Sequence, residues 1–497
     1  MHRLRREDPF LTPLISALLT PTAYPHPVRN LRLVETHISW VVLTGDYAYK
    51  LKKPLNLGFL DFSNLEQRRF SCEEELRLNR RLAPDLYLEV VPVTGSAEAP
   101  RLGGAGPAIE YAVKMRQFDE EARLDRVLAR GGLDPGQVDA LARRVAEFHA
   151  GLPPAAASTD FGNADNVAFY ARQNFDQIRP RLAGPDSDIL ARLAAWTGEE
   201  FVARRETLAA RRRDGLVREC HGDLHLGNIA LIADEPVVFD CIEFNPELRW
   251  IDVASEVAFT VMDLEDRGRP DLGSRFRNAY LETGGDYAGL AVLRYYLVYR
   301  ALVRAKVAAI RLGQPQLEDA DRAAALAQCR EYLALALRFT SPPRPWLAIT
   351  RGLSGSGKTT LSLPAVETLG AVRIRSDVER KRLFGLPPEA RGGSAMDEGI
   401  YSRAAGERTY ARLAELAESA LQAGYSVIVD ATFLERERRQ AFRALAARSR
   451  VLFAILDFQA PGAVLEERVA AREAAGRDAS DAGLAVLRRQ RHAMEPL

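Results

Sequence analysis

The segment Gly352-Leu353-Ser354-Gly355-Ser356-Gly357-Lys358-Thr359 constrains this chain more than any other stretch. It follows the apolar run PWLAIT, which reads as a buried strand, and it opens a helical pattern. G-x-x-x-x-G-K-[ST] in that strand-to-helix setting is a P-loop. Its glycines let successive backbone N–H groups wrap a phosphate, and the helix N-terminus adds positive potential. Lys358 is placed to neutralise β/γ charge and the Thr359 hydroxyl to bind magnesium, with Gly352, Ser354, Gly355, Ser356, Gly357 and Thr360 completing the cradle. A flexible Gly/Ser-rich loop is the plain alternative, but it explains neither Lys358 nor the flanking strand. Downstream, AVRIRSD and YSVIVDAT read as strands ending at Asp377 and Asp430, and VLFAILDF as a further strand. Asp430, at a strand's C-terminal end, is the candidate carboxylate for a magnesium-bound water. Arg468, Arg472 and Arg477 fit a lid that closes over the phosphates, with Arg472 taken as a nucleotide contact.

A second constellation lies upstream, in HGDLHLGNIALIADEPVVFD, His221 to Asp240. Asp223 and Asn228 keep the interval of a protein-kinase catalytic loop, in which the Asp takes the proton of an attacking hydroxyl and the Asn binds magnesium. Val237 to Phe239 read as a short buried strand that delivers Asp240, the second metal-binding carboxylate. His221 and His225 also allow a zinc reading, but no third soft ligand stands at metal spacing, and Cys220 and Cys241 read as buried neighbours.

At 497 residues the chain calls for two or three domains. With 47% hydrophobic and 27% charged residues it has the composition of a soluble globular protein. A net charge of +1 supplies no global field to recruit nucleic acid or membrane. Four cysteines in so long a chain make no disulfide framework and fit a reducing cytoplasm. Arg3, Arg5 and Arg6 precede LTPLISALL, which Pro13 interrupts; a short amphipathic helix is expected there, not a signal segment. No run approaches the ~18 apolar residues of a membrane span. The sequence specifies no oligomeric state.

Residues 31–53 alternate as strands, with Gly45-Asp46 as a hairpin turn. In the kinase plan a strand lysine reaches the α- and β-phosphates and a helix glutamate holds it. Lys50 takes that place, with Lys52 on the same face as the alternate. Glu73, Glu74 and Glu75 compete for the partner's role, and Glu74 is taken. The glycine-rich loop of protein kinases is missing; Thr36-His37-Ile38-Ser39 stands in its position. Backbone groups of Met115 to Phe118 are expected to meet the adenine ring. Residues 120–150, 161–213 and 285–337 read as helices, and TSPPRP, Thr340 to Pro345, as a linker.

The H-G-D-x-H-x-x-N signature is similar to the catalytic loop of the aminoglycoside phosphotransferase and choline-kinase-like families. That resemblance covers about 31–337 and implies that Asp252 braces the loop. The part from 346 on resembles gluconate kinase and the kinase module of polynucleotide kinases, on the P-loop, SDVERKRLFG and VIVDAT. It implies that Asp377 activates an acceptor hydroxyl. The order resembles bacterial fusions of these two parts.

The expected architecture is a two-domain chain. An α+β, protein-kinase-like bilobal fold spans 1–340, with an N-lobe to about 118 and a helical C-lobe to about 340. An α/β P-loop domain, a parallel sheet flanked by helices, spans 346–497. The implied activity is a bifunctional ATP- and Mg2+-dependent kinase acting in the cytoplasm on hydroxyls of small molecules: a sugar, sugar acid, aminoglycoside or nucleoside-like acceptor. Two alternatives stand beside it: a C-terminal 5′-hydroxyl nucleic-acid kinase, permitted by Arg373, Arg375, Arg380, Lys381 and Arg382 but lacking an aromatic platform, and a domain that only senses ATP for the other.

Overall fold

Period-two alternation in the first part of the chain does produce strands: β1 (Arg32–Glu35), β2 (Ser39–Leu43) and β3 (Tyr47–Lys52), with Gly45-Asp46 in the tight turn before β3. The computed structural model describes residues 11–56, 60–313, 317–387, 399–475 and 482–497. Arg3, Arg5, Arg6 and Arg477 fall outside them. The chain divides into two compact units: Met1–Gln137 with Leu152–Gly162 and Gly215–Glu256, and Val138–Gly151 with Asn163–Asp214 and Val257–Leu497.

The first unit adds α1 (Leu11–Leu18), α2 (Leu65–Asn79), β4 (Tyr87–Gly95), β5 (Pro100–Leu102), β6 (Glu110–Arg116) and α3 (Leu124–Ala129). Six strands pair antiparallel in the order β1-β2-β3-β6-β4-β5. Alternation sorts β3 cleanly. Tyr49 and Leu51 join Leu14, Ile15 and Leu18 of α1 in one apolar cluster, while Lys50 and Lys52 point to the opposite face, toward α2. Asn64 caps α2 by accepting the Gln67 N–H, and a buried ion pair, Arg68 with Glu110 at 2.9 Å, fixes the helix on β6.

The same unit holds β7 (Val217–Glu219), β8 (Ile229–Ile232), β9 (Glu235–Val238), α7 (Pro246–Arg249) and β10 (Trp250–Asp252). β7 pairs with β10, and β8 with β9 as a hairpin turned by Ala233 and Asp234, both at positive φ. Register Ile229↔Val238 matters most, because it brings Asn228, just before β8, beside the chain that leaves β9 for Asp240.

The second unit draws on α4 (Pro135–Gly151), α5 (Ala164–Ile178), α6 (Pro185–Arg213), α8 (Val253–Asp266), α9 (Pro270–Gly284), α10 (Leu290–Leu312) and α11 (Asp319–Phe339). Buried Val298, Ala301, Leu302 and Ala305 of α10 and Cys329, Leu333 and Ala336 of α11 form the helical core. Arg300 of α10 is buried among these apolar positions, with its guanidinium 4.7 Å from the Phe259 ring centre, while Val307 and Ile310 of the same helix are exposed. TSPPRP then leads, inside this unit, to β11 (Trp346–Arg351), α12 (Lys358–Leu369), β12 (Val372–Arg375), α13 (Ser376–Leu383), α14 (Arg403–Gln422), β13 (Val427–Asp430), α15 (Arg436–Arg448), β14 (Leu452–Asp457), α16 (Gly462–Ala475) and α17 (Leu484–Ala493). The sheet is parallel throughout, in the order β12-β13-β11-β14, with helices between its strands along the chain. Among the described residues no helix is long and apolar enough to cross a membrane.

Candidate active sites

Strand β3 and helix α2 build the first site around charge. Lys50 Nζ donates to Glu75 Oε1 at 2.8 Å and also to Asp240. Lys52 Nζ donates to the other oxygen of Glu75 and to Glu243. The result is an unbroken chain, Asp240–Lys50–Glu75–Lys52–Glu243, in which the side chains of Lys52 and Glu75 are fully buried. Burial works to discharge the lysines, but Asp240, Glu75 and Glu243 outweigh it and hold Lys50 well above its ordinary range, and Glu243 and Glu75 hold Lys52 above it too. Burial also opposes ionisation of Asp240, and Lys50 beside it more than compensates, so this carboxyl titrates low.

The lysine partner is therefore Glu75, and the expectation of Glu74 is corrected. Buried positions of α2 run Arg68, Ser71, Cys72, Glu75, Leu78 and Asn79, a three-to-four repeat that turns Glu75 inward. Glu74 lies about 100° around the helix and pairs with Arg77 at 2.8 Å and Arg249 at 3.4 Å. Both lysines enter the cluster, so Lys50 and its alternate divide the work: Lys50 meets Asp240, and Lys52 anchors Glu243.

The loop that carries Asp223 is held from below. Glu256 accepts the N–H of His221 at 2.8 Å and that of Gly222 at 3.4 Å. Asp252, expected to brace this loop, caps the following helix by accepting the Ala254 N–H at 2.9 Å. Gly222 has φ +90, and a Cβ there would lie 2.8 Å from Leu248 O, so the close approach admits only glycine. His221 is fully engaged: Nε2 donates to Phe239 O at 2.9 Å, and Nδ1 accepts the Asp223 N–H at 3.3 Å. This imidazole ties the loop to the strand end before Asp240. Burial lowers its pKa below the ordinary 6.5, against the pull of Glu256. His225 accepts the Gly227 N–H through Nδ1 at 3.1 Å and presents Nε2 to Asp223 Oδ2 at 3.3 Å. Neither histidine is arranged to share a zinc ion.

Asn228 Nδ2 donates to Asp223 O and Oδ2, both at 3.0 Å, which directs its Oδ1 away from that carboxylate. Asp240 has φ +66 and a side chain 42% exposed, and it and Asn228 each offer an oxygen of the hard type that could bind magnesium. Thr36 closes the β1–β2 turn on itself, accepting the Ser39 N–H at 2.9 Å. At the expected adenine edge, the N–H groups of Arg116 and Gln117 already bind Leu86 O and Asp46 O, while the Phe118 ring meets Phe239 edge-on at 5.1 Å.

The second site sits at the C-terminal ends of β11 and β13, which are neighbours in the sheet. Thr359 Oγ1 donates to Asp430 Oδ2 at 2.7 Å, and Thr350 Oγ1 approaches the other carboxylate oxygen at 3.3 Å. Hydroxyl and carboxylate thus stand together, two hard oxygen donors that could hold magnesium. Gly352 opens the P-loop at φ +151, where a Cβ would collide with Phe458 O at 2.4 Å. Gly355, Ser356 and Gly357 make the bend, and Thr360 lies exposed on the first turn of α12. Lys358 Nζ rests on Leu353 O at 2.8 Å. Burial lowers its pKa, and Asp430 and Asp377 counter that only in part. Arg468 reaches Gly355 O at 3.4 Å, and Arg472 binds Ala482 O at 2.6 Å. Asp377 lies 3.8 Å from Arg380 on the first turn of α13.

One contact had no sequence signal: Gln490 Oε1 of α17 accepts the N–H of Ser354 at 2.8 Å. No motif marks a lone glutamine 130-odd residues beyond the loop it touches.

Residues 60–296 match the family model described as Phosphotransferase enzyme family, and 347–497 the one described as AAA domain. Uncharacterized protein Rv2004c of Mycobacterium tuberculosis (strain ATCC 25618 / H37Rv) is 34% identical over 465 residues, 92% of this chain and 90% of its own. Uncharacterized protein Mb2027c of Mycobacterium bovis (strain ATCC BAA-935 / AF2122/97) matches to the same extent. A solved structure of the GDP and kanamycin complex of APH(2")-IIia is 15% identical, covering 65% of this chain and 99% of that one, with a TM-score of 0.41. A gluconokinase from Sinorhizobium meliloti 1021 is 24% identical, covering 31% and 78%, with a TM-score of 0.20.

Glu75→Gln should leave Lys50 with Asp240 alone and Lys52 with Glu243 alone, breaking two buried ion pairs at a cost of about 3–5 kcal/mol of stability, whereas Glu74→Gln should cost about 1 kcal/mol or less. Urea unfolding of the two variants reads the difference, and equal losses would reject the assignment of Glu75.

His221 predicts an acid slope. The unfolded imidazole titrates near 6.5 and the folded one lower, so below 6.5 the unfolded state binds the extra proton. Stability should be fully present above pH 6.5 and fall as pH drops below it. His221→Gln should flatten that part of the profile in unfolding titrations between pH 7 and 5; an unchanged slope would place the acid sensitivity elsewhere.

Proposed function

This chain belongs to the family that includes those mycobacterial proteins, with a phosphotransferase domain over 60–296 and a P-loop kinase-like domain over 347–497, and from that premise we propose that it is a double kinase. It is an ATP-dependent kinase; the proposal is that both domains transfer the γ-phosphoryl group, each to a hydroxyl of a small molecule, in the cytoplasm. The domain boundaries proposed are 1–340 and 346–497. The reading rests on one observation, the presence of two separate sets of proton-accepting, phosphate-neutralising and metal-binding groups. One set is Asp223, Lys50 with Glu75, Asn228 and Asp240; the other is Asp377, Lys358, Thr359 and Asp430.

In the first site Asp223 accepts the proton as the acceptor oxygen bonds to the γ-phosphorus and the bond to the β–γ bridging oxygen breaks, releasing ADP. Lys50 neutralises the α- and β-phosphates, and Glu75 keeps it in place. In the second site Asp377 takes the acceptor proton, while Lys358 leaves Leu353 O for the phosphates and Arg472 adds positive charge from α16. Magnesium, held by Asn228 and Asp240 in one site and by Thr359 with Asp430 in the other, would neutralise phosphate charge. A nucleic-acid acceptor is not favoured, because Arg373, Arg375 and Arg382 are spent on protein partners.

Calorimetric titration of the whole chain with a non-hydrolysable ATP analogue and magnesium should find two sites. Lys358→Ala and Asp240→Ala should each leave one strong site. A single site abolished by either change would mean one composite site and end the double-kinase reading.

For the first domain, Asp223→Ala in a Lys358→Ala background should lower ADP release with its acceptor by about 10²–10⁴-fold and leave analogue binding in place. Turnover equal to that of the Lys358→Ala parent would remove Asp223 from the role of base.

A further inference from the structure

Helix α9 belongs to neither set of catalytic groups, yet its last turns are spent on the P-loop sheet. β12 is an edge strand of that sheet, so its outward N–H and C=O groups need partners. Asn278 supplies both. Its Nδ2 donates to Ala371 O at 2.9 Å, and its Oδ1 accepts the Arg373 N–H at 2.7 Å. One side chain stands in for a neighbouring strand.

Glu282, one turn further, places a carboxylate oxygen 3.5 Å from Arg373 and 3.3 Å from Arg375. The Arg373 side chain is 7% exposed, and its Nη1 donates to Thr359 O at 2.8 Å. Thr359 is the residue whose hydroxyl meets Asp430. At the end of α9, Arg382 of α13 donates to the carbonyls of Glu282 and Thr283, where the helix C-terminus favours a cation. Asp377 rides on the first turn of that same α13. Both limbs of the second site, the threonine limb and the acceptor-carboxylate limb, are therefore braced on one helix.

We propose that α9, a helix of the phosphotransferase domain, is a working part of the P-loop site, in which Glu282 acts through Arg373 as a positioning residue for Thr359. This rests on the reading of the P-loop as a magnesium–nucleotide site. Glu282 touches neither phosphate nor metal. Its carboxylate faces the Arg373 guanidinium at ion-pair distance, 3.5 Å, and by that charge favours the orientation in which Arg373 donates to the Thr359 carbonyl and the threonine hydroxyl is turned toward Asp430.

The test uses the full chain carrying Asp240→Ala, which removes a metal ligand from the first site. Binding of a non-hydrolysable ATP analogue is followed by calorimetry across a magnesium series. Glu282→Gln and Arg373→Gln should each raise the half-saturating magnesium concentration roughly tenfold, and the double variant should be no worse than the poorer single one. Arg373→Lys keeps the charge facing Glu282 but loses the planar fork, so it should show the same shift even where Glu282→Gln fails to fold. Asp271→Asn removes an ion pair at the start of the same helix, with Arg269, far along the helix from Glu282, and should leave the magnesium dependence where it was. An unchanged magnesium dependence in the folded Glu282 and Arg373 variants, or additive effects in the double, would overturn the proposal. No analogue binding to the Asp240→Ala parent at any magnesium concentration would instead overturn the P-loop reading itself, and this inference with it.

Discussion

Lys52 and Glu75 lie fully buried in a five-member chain of charges, and much of the first unit is arranged to make that affordable. Taking ions out of water is costly, and the cost is recovered only when every charge meets its opposite with good geometry. Three pieces of chain must therefore meet in register. Strand β3 puts Lys50 and Lys52 on one face by its period of two, α2 turns Glu75 toward them, and the β8–β9 hairpin delivers Asp240 with Glu243 three residues on. Three carboxylates face two ammonium groups, which leaves one negative charge in excess. That excess sits at the open end of the chain of charges, on Asp240, next to Asp223 and Asn228. On the double-kinase reading this is the end that a divalent cation would meet, with Lys50 held beside it by Glu75 and Asp240.

On the proposed reading, the two sites would hold phosphate by different means. The P-loop relies on backbone N–H groups, so its shape depends on glycines where side chains cannot fit, and its lysine waits on a carbonyl of its own loop. The first site has no such loop. Its β1–β2 turn is closed by Thr36 on Ser39, so on that reading the charge on Lys50 would do what a ring of amides does elsewhere. This difference explains why the first site invests in a buried lysine pair and the second does not. Lys50 must stay charged inside the protein before any ligand arrives, and Lys52 keeps Glu75 oriented for it.

Features written into short stretches were legible in the sequence: the P-loop, the Asp223–Asn228 interval, the strand that leads to Asp240, and the strand that ends at Asp430; the strand expected to reach Asp377 stops at Arg375, and Asp377 lies on the first turn of α13. Each is local, with geometry set by a few neighbouring residues. Glu74 was chosen over Glu75 because three adjacent carboxylates look alike until the helix phase is counted; the Cys72, Glu75, Asn79 spacing could have separated them. Glu256 was missed because a single acid on an apolar helix carries no mark of the loop it supports. Gln490 and Asn278 act across more than ninety residues of chain, on backbone groups rather than on side chains of recognisable pattern. No periodicity encodes such a meeting.

Arginine-rich stretches also invite a wrong inference when read alone. Lys and Arg total 68 against 67 acidic residues, so a basic run is as apt to be answered within the protein as by a polyanion. Around β12 this is what happens: Arg373 and Arg375 face Glu282, Arg382 meets Glu379 and the end of α9, and Arg277 and Arg294 lie 5.0 and 5.1 Å from the Tyr425 ring centre. Guanidinium groups suit this use because a planar fork can bind a carboxylate, a carbonyl or an aromatic face without losing its charge. The TSPPRP prolines end the helical pattern in sequence, but they do not end the folding unit. A P-loop domain cut at that linker would expose Ala371 O and the Arg373 N–H on an open sheet edge and leave Arg373 without Glu282. The second domain is thus contiguous in the chain and incomplete without a helix of the first.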